Sequence, residues 1–248
     1  MIELTGVHKS FGSQQVLRGV DLKVQPGKIT VIIGRSGGGK SVLLKHMIGL
    51  VRPDKGSVWV FGSDLAAMNE REMDPIRRRM GMLFQDAALF DSMTVGENVA
   101  FPIKEHTNLS TRIVGEMVAQ KLEMVGLPGT GKKMPSELSG GMRKRVGLAR
   151  AIALDPEVLL FDEPTTGLDP IMAEAIDNLI RETQSALGVT AVVISHDIAG
   201  TMRIAHCIAL LNEGTIVAEG TPEEIDACAD PLVRDFLRCR SGDPTARL

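Results

Sequence analysis

One run of small and basic residues in this 248-residue chain has the types and spacing needed to hold phosphate. It fits the pattern G-x-x-x-x-G-K-[ST], and its residues are Gly34, Arg35, Ser36, Gly37, Gly38, Gly39, Lys40 and Ser41. Glycine lets the main chain approach a ligand without interference from a Cβ atom. A lysine can reach the β- and γ-phosphates of a nucleotide, and a hydroxyl can bind Mg²⁺. This phosphate loop therefore predicts a nucleotide site.

The segments on either side of the phosphate loop support this prediction. Ile29–Ile33 is short, apolar and rich in β-branched residues, as is typical of a buried strand. Val42–Ile48 has apolar residues three and four positions apart, which indicates a helix. The loop would thus lie at a helix N-terminus, where unpaired N–H groups and the helix dipole face an anion. The alternative is a glycine-rich turn without a ligand, and the flanking strand and helix argue against it.

Two acids follow a second predicted buried strand. Val158–Phe161 is continuously apolar and is followed by Asp162 and Glu163. Because ligands in open α/β sheets bind at the carboxyl ends of strands, we expect both carboxylates beside the phosphate loop. Asp162 is suited to Mg²⁺, directly or through water, and Glu163 to polarising the attacking water. An ordinary pair of acids at the end of a strand is the alternative.

Polar side chains also end two other predicted strands. His196 follows the strand Thr190–Ile194 and Ser195, and Gln85 follows the strand Met82–Phe84. We expect His196 to contact the γ-phosphate and Gln85 to meet Mg²⁺ or water. For His196, the alternative is a surface histidine without a ligand.

A second glycine-containing helix start follows Leu138. Ser139, Gly140 and Gly141 could bind an anion through their N–H groups and the serine hydroxyl, or they could simply cap the helix.

The basic run Arg143–Arg145 could form a nucleic-acid patch. The net charge of −3 and the lack of nearby aromatic residues favour a solvated helix face instead, so we expect no nucleic-acid partner.

The order of the predicted elements indicates the fold class. Strands and helices alternate along most of the chain, which predicts an α/β fold with a mainly parallel sheet covered on both faces. From about Ser92 to Arg150 the strand signals stop, and apolar residues at helical spacing predict an inserted helical subdomain. One predicted helical face there consists of Val114, Met117, Val118, Leu122 and Val125. A long helix is predicted from Pro170 to Leu187.

Composition restricts the compartment. Hydrophobic residues make up 44% of the chain, which is enough for a sizeable core. No apolar run approaches the ~20 residues of a membrane span, and the N-terminus is unlike a signal peptide. Three cysteines fit neither a disulfide framework nor a metal pair and suggest a reducing compartment; they are Cys207, Cys228 and Cys239. We therefore expect a cytosolic chain that could dock on a membrane protein.

Taken in order, these motifs resemble the ATPase subunits of ABC transporters over nearly the whole chain. The resemblance is carried by Gly34–Ser41, Gln85, Leu138–Gly141, Leu159–Glu163, Leu168-Asp169 and His196. It implies a P-loop NTPase fold, the ABC nucleotide-binding domain, with a mainly parallel core sheet, an antiparallel β subdomain and an inserted α-helical subdomain. The implied boundaries are a single domain at 1–240 and a tail at 241–248. Within the domain, the core and the β subdomain span about 1–91 and 151–240, and the helical subdomain spans about 92–150.

The resemblance implies ATP and Mg²⁺ as cofactors and assigns a role to each motif. Phe11 would stack on adenine with Val16 beside it, Glu163 would be the general base, and His196 would be the switch histidine. The implied catalytic set is Glu163, His196, Lys40 and Gln85, and the implied Mg²⁺ ligands are Ser41, Gln85 and Asp162. The implied ATP-binding residues are Phe11, Val16, Gly34, Arg35, Ser36, Gly37, Gly38, Gly39, Lys40, Ser41, Gln85, Asp162 and His196.

A second copy of the chain is implied as a partner. Ser139 and Gly141, with Gly140 between them, would act on the ATP bound to the other copy. Asp169 lies in the loop that would cross between the copies. Two copies would then enclose two nucleotides head to tail, and hydrolysis would separate them.

The sequence departs from the family pattern at three positions. Phe11 replaces the more frequent tyrosine, which keeps an aromatic ring but loses a hydroxyl. Gly38 stands where serine is common, and Met142 stands where glutamine is usual after Ser-Gly-Gly. The change at Gly38 should cost little, and the change at Met142 weakens nothing that is expected to contact phosphate directly.

A narrower resemblance concerns the MCE-associated ABC ATPases, which include the Mla phospholipid system and the toluene-tolerance transporters. It is carried by Phe84–Val99, Leu138–Arg145, Thr165–Ile171 and Asp230–Leu237. It implies an ATPase that powers phospholipid transport between inner and outer membranes. The implied partners are membrane permease subunits, contacted near residues 85–99, and an MCE-domain protein. The chain would lie peripherally on the cytoplasmic side of the bacterial inner membrane.

Two other functions remain open from the sequence. The same ATPase could serve a solute importer for amino acids or an osmoprotectant, in which case a periplasmic solute-binding protein would accompany it. A soluble ABC protein of DNA repair or translation usually carries two cassettes or long coiled-coil insertions, whereas this chain has one cassette and no such insertion. Tight, salt-sensitive binding to nucleic acid would favour that third function.

Overall fold

The computed structural model describes residues 1–238, so Cys239 and the predicted tail at 241–248 lie outside the described residues. The strands are β1 (Ile2–Phe11), β2 (Gln14–Val24), β3 (Ile29–Gly34), β4 (Lys55–Val60), β5 (Ser63–Asp64), β6 (Met80–Leu83), β7 (Val158–Asp162), β8 (Thr190–Ser195), β9 (Cys207–Asn212) and β10 (Thr215–Gly220). The helices are α1 (Lys40–Met47), α2 (Glu70–Arg77), α3 (Val95–His106), α4 (Thr111–Met124), α5 (Gly140–Ala151), α6 (Pro170–Leu187), α7 (Ile198–Ile204), α8 (Pro222–Asp226) and α9 (Pro231–Arg238). The predicted alternation of strands and helices is confirmed, and α6 has the predicted bounds.

The described chain forms two compact units. The first unit contains residues 1–76 and the described residues from 190 onward, and the second contains residues 77–189. The predicted helical subdomain, about 92–150, falls within the second unit and includes α3, α4 and α5. Its exact limits remain a prediction.

The first unit is built from two sheets. One is antiparallel, in the order β2-β1-β4-β5. Its longer strands alternate: Ile2 and Leu4 are buried whereas Glu3 and Thr5 are exposed, as expected when one face of a sheet packs on a core. In the other, β8, β3 and β9 are parallel neighbours and β10 is antiparallel to β9. Every residue of β3 and β8 is buried, which agrees with their largely apolar sequences.

The second unit combines a parallel strand pair with helices. β6 pairs with β7, with Leu83 opposite Phe161. α5 packs on β6 and also on α3, α4 and α6. A Cβ atom on Gly147 of α5 would lie 2.6 Å from Leu83 Cδ1 and 3.4 Å from Ala87 Cα, so glycine allows helix and strand to approach closely. The predicted face of α4 is confirmed, since Val114, Val118 and Leu122 are buried.

Among residues 1–238, no helix is both long and apolar enough to cross a membrane.

Candidate nucleotide-binding and catalytic site

The phosphate loop joins β3 to α1 in the first unit, as predicted. Gly37 and Gly39 have φ angles of 76° and 97°, in the left-handed region that favours glycine. A Cβ atom on Gly39 would also lie 3.0 Å from Val16 Cγ1 and 3.1 Å from Leu17 Cδ2. Backbone conformation and close packing therefore both require glycine at this position, and Val16 lies beside the loop.

Lys40 lies against the inside of its own loop. The residue is only 4% exposed, and its Nζ donates hydrogen bonds of 3.0 Å to the carbonyl oxygens of Gly34 and Arg35. Gly39 precedes α1 and has no side chain that could cap the helix. The loop thus presents an ammonium group and the N–H groups of the first turn of a helix at the same point, which is a favourable arrangement for an anion.

Phe11 lies at the end of β1 and is 50% exposed. Lys9 Nζ lies 5.5 Å from the centre of that ring and donates a 2.7 Å hydrogen bond to Asp54. Asp54 also accepts a hydrogen bond from the Ser10 N–H, and the bond from Lys9 is the main reason why the pKa of Asp54 is lowered. These contacts fix the end of β1, while stacking of Phe11 on a base remains a prediction.

His196 lies at the same sheet edge as the phosphate loop. β3 and β8 are parallel neighbours, and Ile33 lies opposite Ser195. Gly34 and His196 are the next residues along the two chains, so both lie at the carboxyl end of this strand pair. His196 is half-buried. The Ser195 hydroxyl accepts a 3.0 Å hydrogen bond from the Asp197 N–H, which fixes the turn that carries the histidine. The first unit therefore brings together His196, Val16 and the phosphate loop.

The two acids lie at the end of β7 in the second unit. Asp162 is the last residue of the strand and is 9% exposed. Glu163 follows with a φ of 47°, an uncommon conformation for a residue with a side chain and one that is often found at functional sites. Thr166 Oγ1 donates a 2.9 Å hydrogen bond to Glu163 Oε2. The Glu163 carboxylate is thus oriented by its own loop.

Gln85 lies beside these acids, because β6 and β7 run in parallel and end together. Its main-chain carbonyl accepts a hydrogen bond from Lys144 Nζ on α5. Burial lowers the pKa of Lys144, whereas Asp86, Glu163 and Asp162 act to raise it. The second unit therefore brings together Gln85, Asp162 and Glu163.

The prediction that Arg143–Arg145 form a solvated helix face is wrong for Lys144 and Arg145. Arg143 is exposed, but Lys144 is 6% exposed. Arg145 is half-buried and its Nη1 donates a 2.9 Å hydrogen bond to the carbonyl of Val125. The helix turns these two cations towards main-chain carbonyls of the same unit, which charge and composition alone do not reveal.

The segment after Gln85 is held in an unusual conformation by two side chains, the half-buried Arg150 and the buried Asn98. Ala87 and Ala88 have left-handed φ angles of 59° and 47°, and Arg150 donates 2.7 Å hydrogen bonds to the carbonyls of both. Asn98 is fully buried and accepts a 2.8 Å hydrogen bond from the Phe90 N–H. Its amide also donates to the carbonyls of Phe90, Met93 and Thr94. The segment predicted to contact a permease is therefore well ordered.

The two turns predicted to act on a second copy pack together. Ser139 caps α5, accepting a 3.3 Å hydrogen bond from the Met142 N–H, and Asp169 caps α6, accepting a 3.0 Å bond from the Met172 N–H. Ser139, Gly140 and Asp169 are exposed. Gly141 is buried, and the Met172 methyl group lies where a Cβ atom on Gly141 would be. The Met172 side chain thus connects the turn at Asp169 with the turn at Ser139.

Sequence reasoning missed three residues that shape this region: Lys144, Arg150 and Asn98. None of them belongs to a motif of catalytic residue types, and their partners are main-chain carbonyls. It also missed α3 as a separate helix, although Thr94 and Glu97 form a capping box that the sequence signature T-x-x-E indicates.

Residues 17–166 match the family described as ABC transporter. The chain belongs to the ABC transporter family. This ABC ATPase is 43% identical over 244 residues to the "Intermembrane phospholipid transport system ATP-binding protein MlaF" of Haemophilus influenzae, covering 98% of this chain and 92% of that protein. It is 41% identical over 243 residues to the "Probable ribonucleotide transport ATP-binding protein mkl" of Mycobacterium leprae, covering 98% of this chain and 70% of that protein.

Solved structures of ABC cassettes have the same fold. The ATP-binding cassette MJ0796, in a dimeric post-hydrolysis state bound to ADP and Pi, superposes with a TM-score of 0.82 at 30% identity. The match covers 90% of this chain and 99% of that chain. The predicted fold class is confirmed, and this ABC ATPase binds and hydrolyses ATP to drive transport.

Proposed function

We propose that this ABC ATPase powers phospholipid transport between the inner and outer membranes, in a complex of the Mla type. The observation that carries the proposal is the similarity to the Haemophilus influenzae MlaF, which extends over 98% of this chain. The ordered segment after Gln85 gives the proposal a structural support, because a membrane partner needs a rigid surface through which closure of the ATPase can act.

In the proposed reaction the phosphate loop of the first unit binds the triphosphate. Lys40 donates to the β- and γ-phosphates, the N–H groups at the start of α1 bind phosphate oxygens, and Phe11 stacks on the base. His196 contacts the γ-phosphate. Glu163 accepts a proton from the attacking water, and the hydrogen bond from Thr166 holds its carboxylate ready for this role.

The donor set of the chain fits Mg²⁺. Ser41 offers a hydroxyl oxygen, Gln85 an amide oxygen and Asp162 a carboxylate, and hard cations prefer oxygen ligands of these kinds. When bound, Mg²⁺ neutralises charge that develops on the phosphate oxygens. These three residues are proposed to hold it.

The proposed cycle uses two copies of the chain. ATP bound to the phosphate loop of one copy is also contacted by Ser139 and Gly141 of the other copy, with Gly140 between them, so binding closes a head-to-tail dimer. Asp169 lies at the same surface of the second unit. Hydrolysis removes the shared γ-phosphate contact and reopens the dimer, and this motion is passed to permease subunits through residues 85–99. The chain is proposed to lie peripherally at the cytoplasmic side of a bacterial inner membrane.

Purification of the intact complex tests the proposal. The full chain is isolated from membranes in mild detergent and its partners are identified by mass spectrometry. A permease together with an MCE-domain protein is the expected result, and labelled phospholipid should then move in an ATP-dependent way in proteoliposomes. A periplasmic solute-binding protein in place of the MCE-domain protein would contradict the proposal.

The name of the Mycobacterium leprae relative keeps solute transport as a second candidate. In that case the ATPase activity of the purified complex should rise with a soluble substrate such as a ribonucleotide, an amino acid or an osmoprotectant. If the chain powers phospholipid transport, the ATPase activity of the complex should respond to phospholipid composition instead.

A further inference from the structure

Lys144 is a buried cation at the catalytic edge of the second unit that the proposed reaction does not yet use. It lies on α5, the helix that Ser139 caps, and is 6% exposed. Because α5 packs on β6, the side chain reaches the residues that follow the strand. There Lys144 Nζ donates a hydrogen bond to the main-chain carbonyl of Gln85.

Acidic groups from two strand ends face the same ammonium group. Asp86 follows β6, Asp162 ends β7 and Glu163 follows it; all three interact with Lys144 electrostatically. A buried ammonium group is costly unless it is paired and hydrogen-bonded. An apolar side chain could fill the same volume, so the lysine contributes a fixed donor and a positive charge.

We infer that Lys144 is a positioning residue for Gln85: it holds the Gln85 main chain so that the Gln85 side chain is presented at the ends of β6 and β7. The inference rests on the proposed function, in which the Gln85 amide binds Mg²⁺ or the attacking water. The same bond links α5, and therefore the Ser139 turn, to the first residue of the segment proposed to contact the permease. A movement of the Ser139 turn or of the segment that begins at Gln85 can then be transmitted to the other through the Lys144 side chain.

The first test is the substitution Lys144→Met in the full chain, assayed with ATP and Mg²⁺. We expect kcat to fall by about tenfold or more, while KM and the ATP-induced rise in Tm stay unchanged, because the phosphate loop is intact. Lys144→Arg, which keeps the charge and the donor, should recover much of the loss. If the methionine variant does not fold, Lys144→Gln, which keeps a polar side chain without the charge, should show the same fall in kcat.

Lys121 offers a matched control in the same unit. It is also a buried lysine, at 3% exposure, but it pairs with Asp155, which precedes the start of β7, whereas Lys144 lies near the carboxyl ends of β6 and β7. Lys121→Met should lower Tm and leave kcat per folded molecule unchanged. If Lys144→Met behaves in the same way, with Tm falling and kcat retained, Lys144 is merely structural and the inference is wrong.

A double-mutant cycle with Gln85→Ala separates the inference from the proposed function. We expect Gln85→Ala to lower kcat and the added Lys144→Met to lower it little further, since both act through one side chain. If Lys144→Met lowers the kcat of Gln85→Ala as much as it lowers the kcat of the unmodified chain, the inference is overturned while the role of Gln85 stands. An unchanged kcat in Gln85→Ala alone would overturn the proposed role of Gln85, and the inference with it.

Discussion

Glu163 combines an uncommon backbone conformation with a side chain held by its own loop. A left-handed φ of 47° directs the residue away from the course of β7, and the Thr166 hydroxyl fixes one carboxylate oxygen. Such strain persists only where the surrounding structure imposes it, and it is frequent at functional sites. The conformation therefore agrees with the role of general base that the motif predicts.

Glu163→Gln should bind ATP but hydrolyse it about 10²–10⁴-fold more slowly, since an amide cannot accept the proton from water. Single-turnover hydrolysis and equilibrium ATP binding are the measurements. Glu157→Gln is the matched control, because Glu157 lies just before the start of β7, where it pairs with Arg79 on the surface. Near-normal turnover by Glu163→Gln would exclude Glu163 as the base.

Lys40→Ala should weaken ATP binding by about one to two orders of magnitude, because a charge-assisted hydrogen bond contributes about 1.5–3 kcal/mol. Titration calorimetry with ATP measures the change. Lys45→Ala on the exposed side of the same helix is the control and should bind as the unmodified chain does. Equal affinities for Lys40→Ala and the control would contradict the assignment of the phosphate loop.

The N-terminus of α1 differs from those of most capped helices in this chain. Thr94, Ser139, Asp169 and Thr221 each cap a helix with a side-chain oxygen. α1 is preceded by Gly39 and has no side-chain cap, as is also the case for α4 and α7. In α1, however, the uncapped N–H groups follow the glycine-rich loop and lie beside the Lys40 ammonium group, which suits this helix to bind phosphate.

The segment from Gln85 to Thr94 depends on α5 for its conformation. Arg150→Ala should lower the free energy of unfolding by about 1–3 kcal/mol, since two main-chain carbonyls lose their donor, and Ala87 and Ala88 lose the contact that fixes their left-handed conformation. Chemical denaturation measures the change. Arg112→Ala, which removes an exposed ion pair with Glu116, is the control and should change stability little. An equal effect of the two substitutions would show that Arg150 does not hold the segment.

The whole fold could be predicted from sequence to the extent that its signals are local. The phosphate loop, the acids after β7 and the helix α6 each follow from residue types and spacing within one stretch. Lys144 and Arg150 could not be predicted in this way, because their roles depend on which carbonyls tertiary packing brings to them. The basic run at Arg143–Arg145 shows the difference, since only Arg143 has the solvent exposure that the charge pattern suggests.

The exposed turns of the second unit require a partner in the proposed cycle. Ser139, Gly140 and Asp169 form a polar surface, and Ile171 beside it is 81% exposed. The dimeric state of the similar MJ0796 cassette supports a second copy as that partner. The central claim is therefore that Ser139 of one copy acts on the ATP of the other.

Molar mass in solution tests this claim most directly, measured by light scattering on the slowly hydrolysing Glu163→Gln chain with and without Ser139→Ala. We predict a dimer for Glu163→Gln with ATP and Mg²⁺ and a monomer with ADP. The added Ser139→Ala should raise the protein concentration needed for dimerisation by about tenfold or more, while the monomer binds ATP as before. Equal dimerisation of the two variants, or no ATP-dependent dimer of Glu163→Gln, would contradict the account.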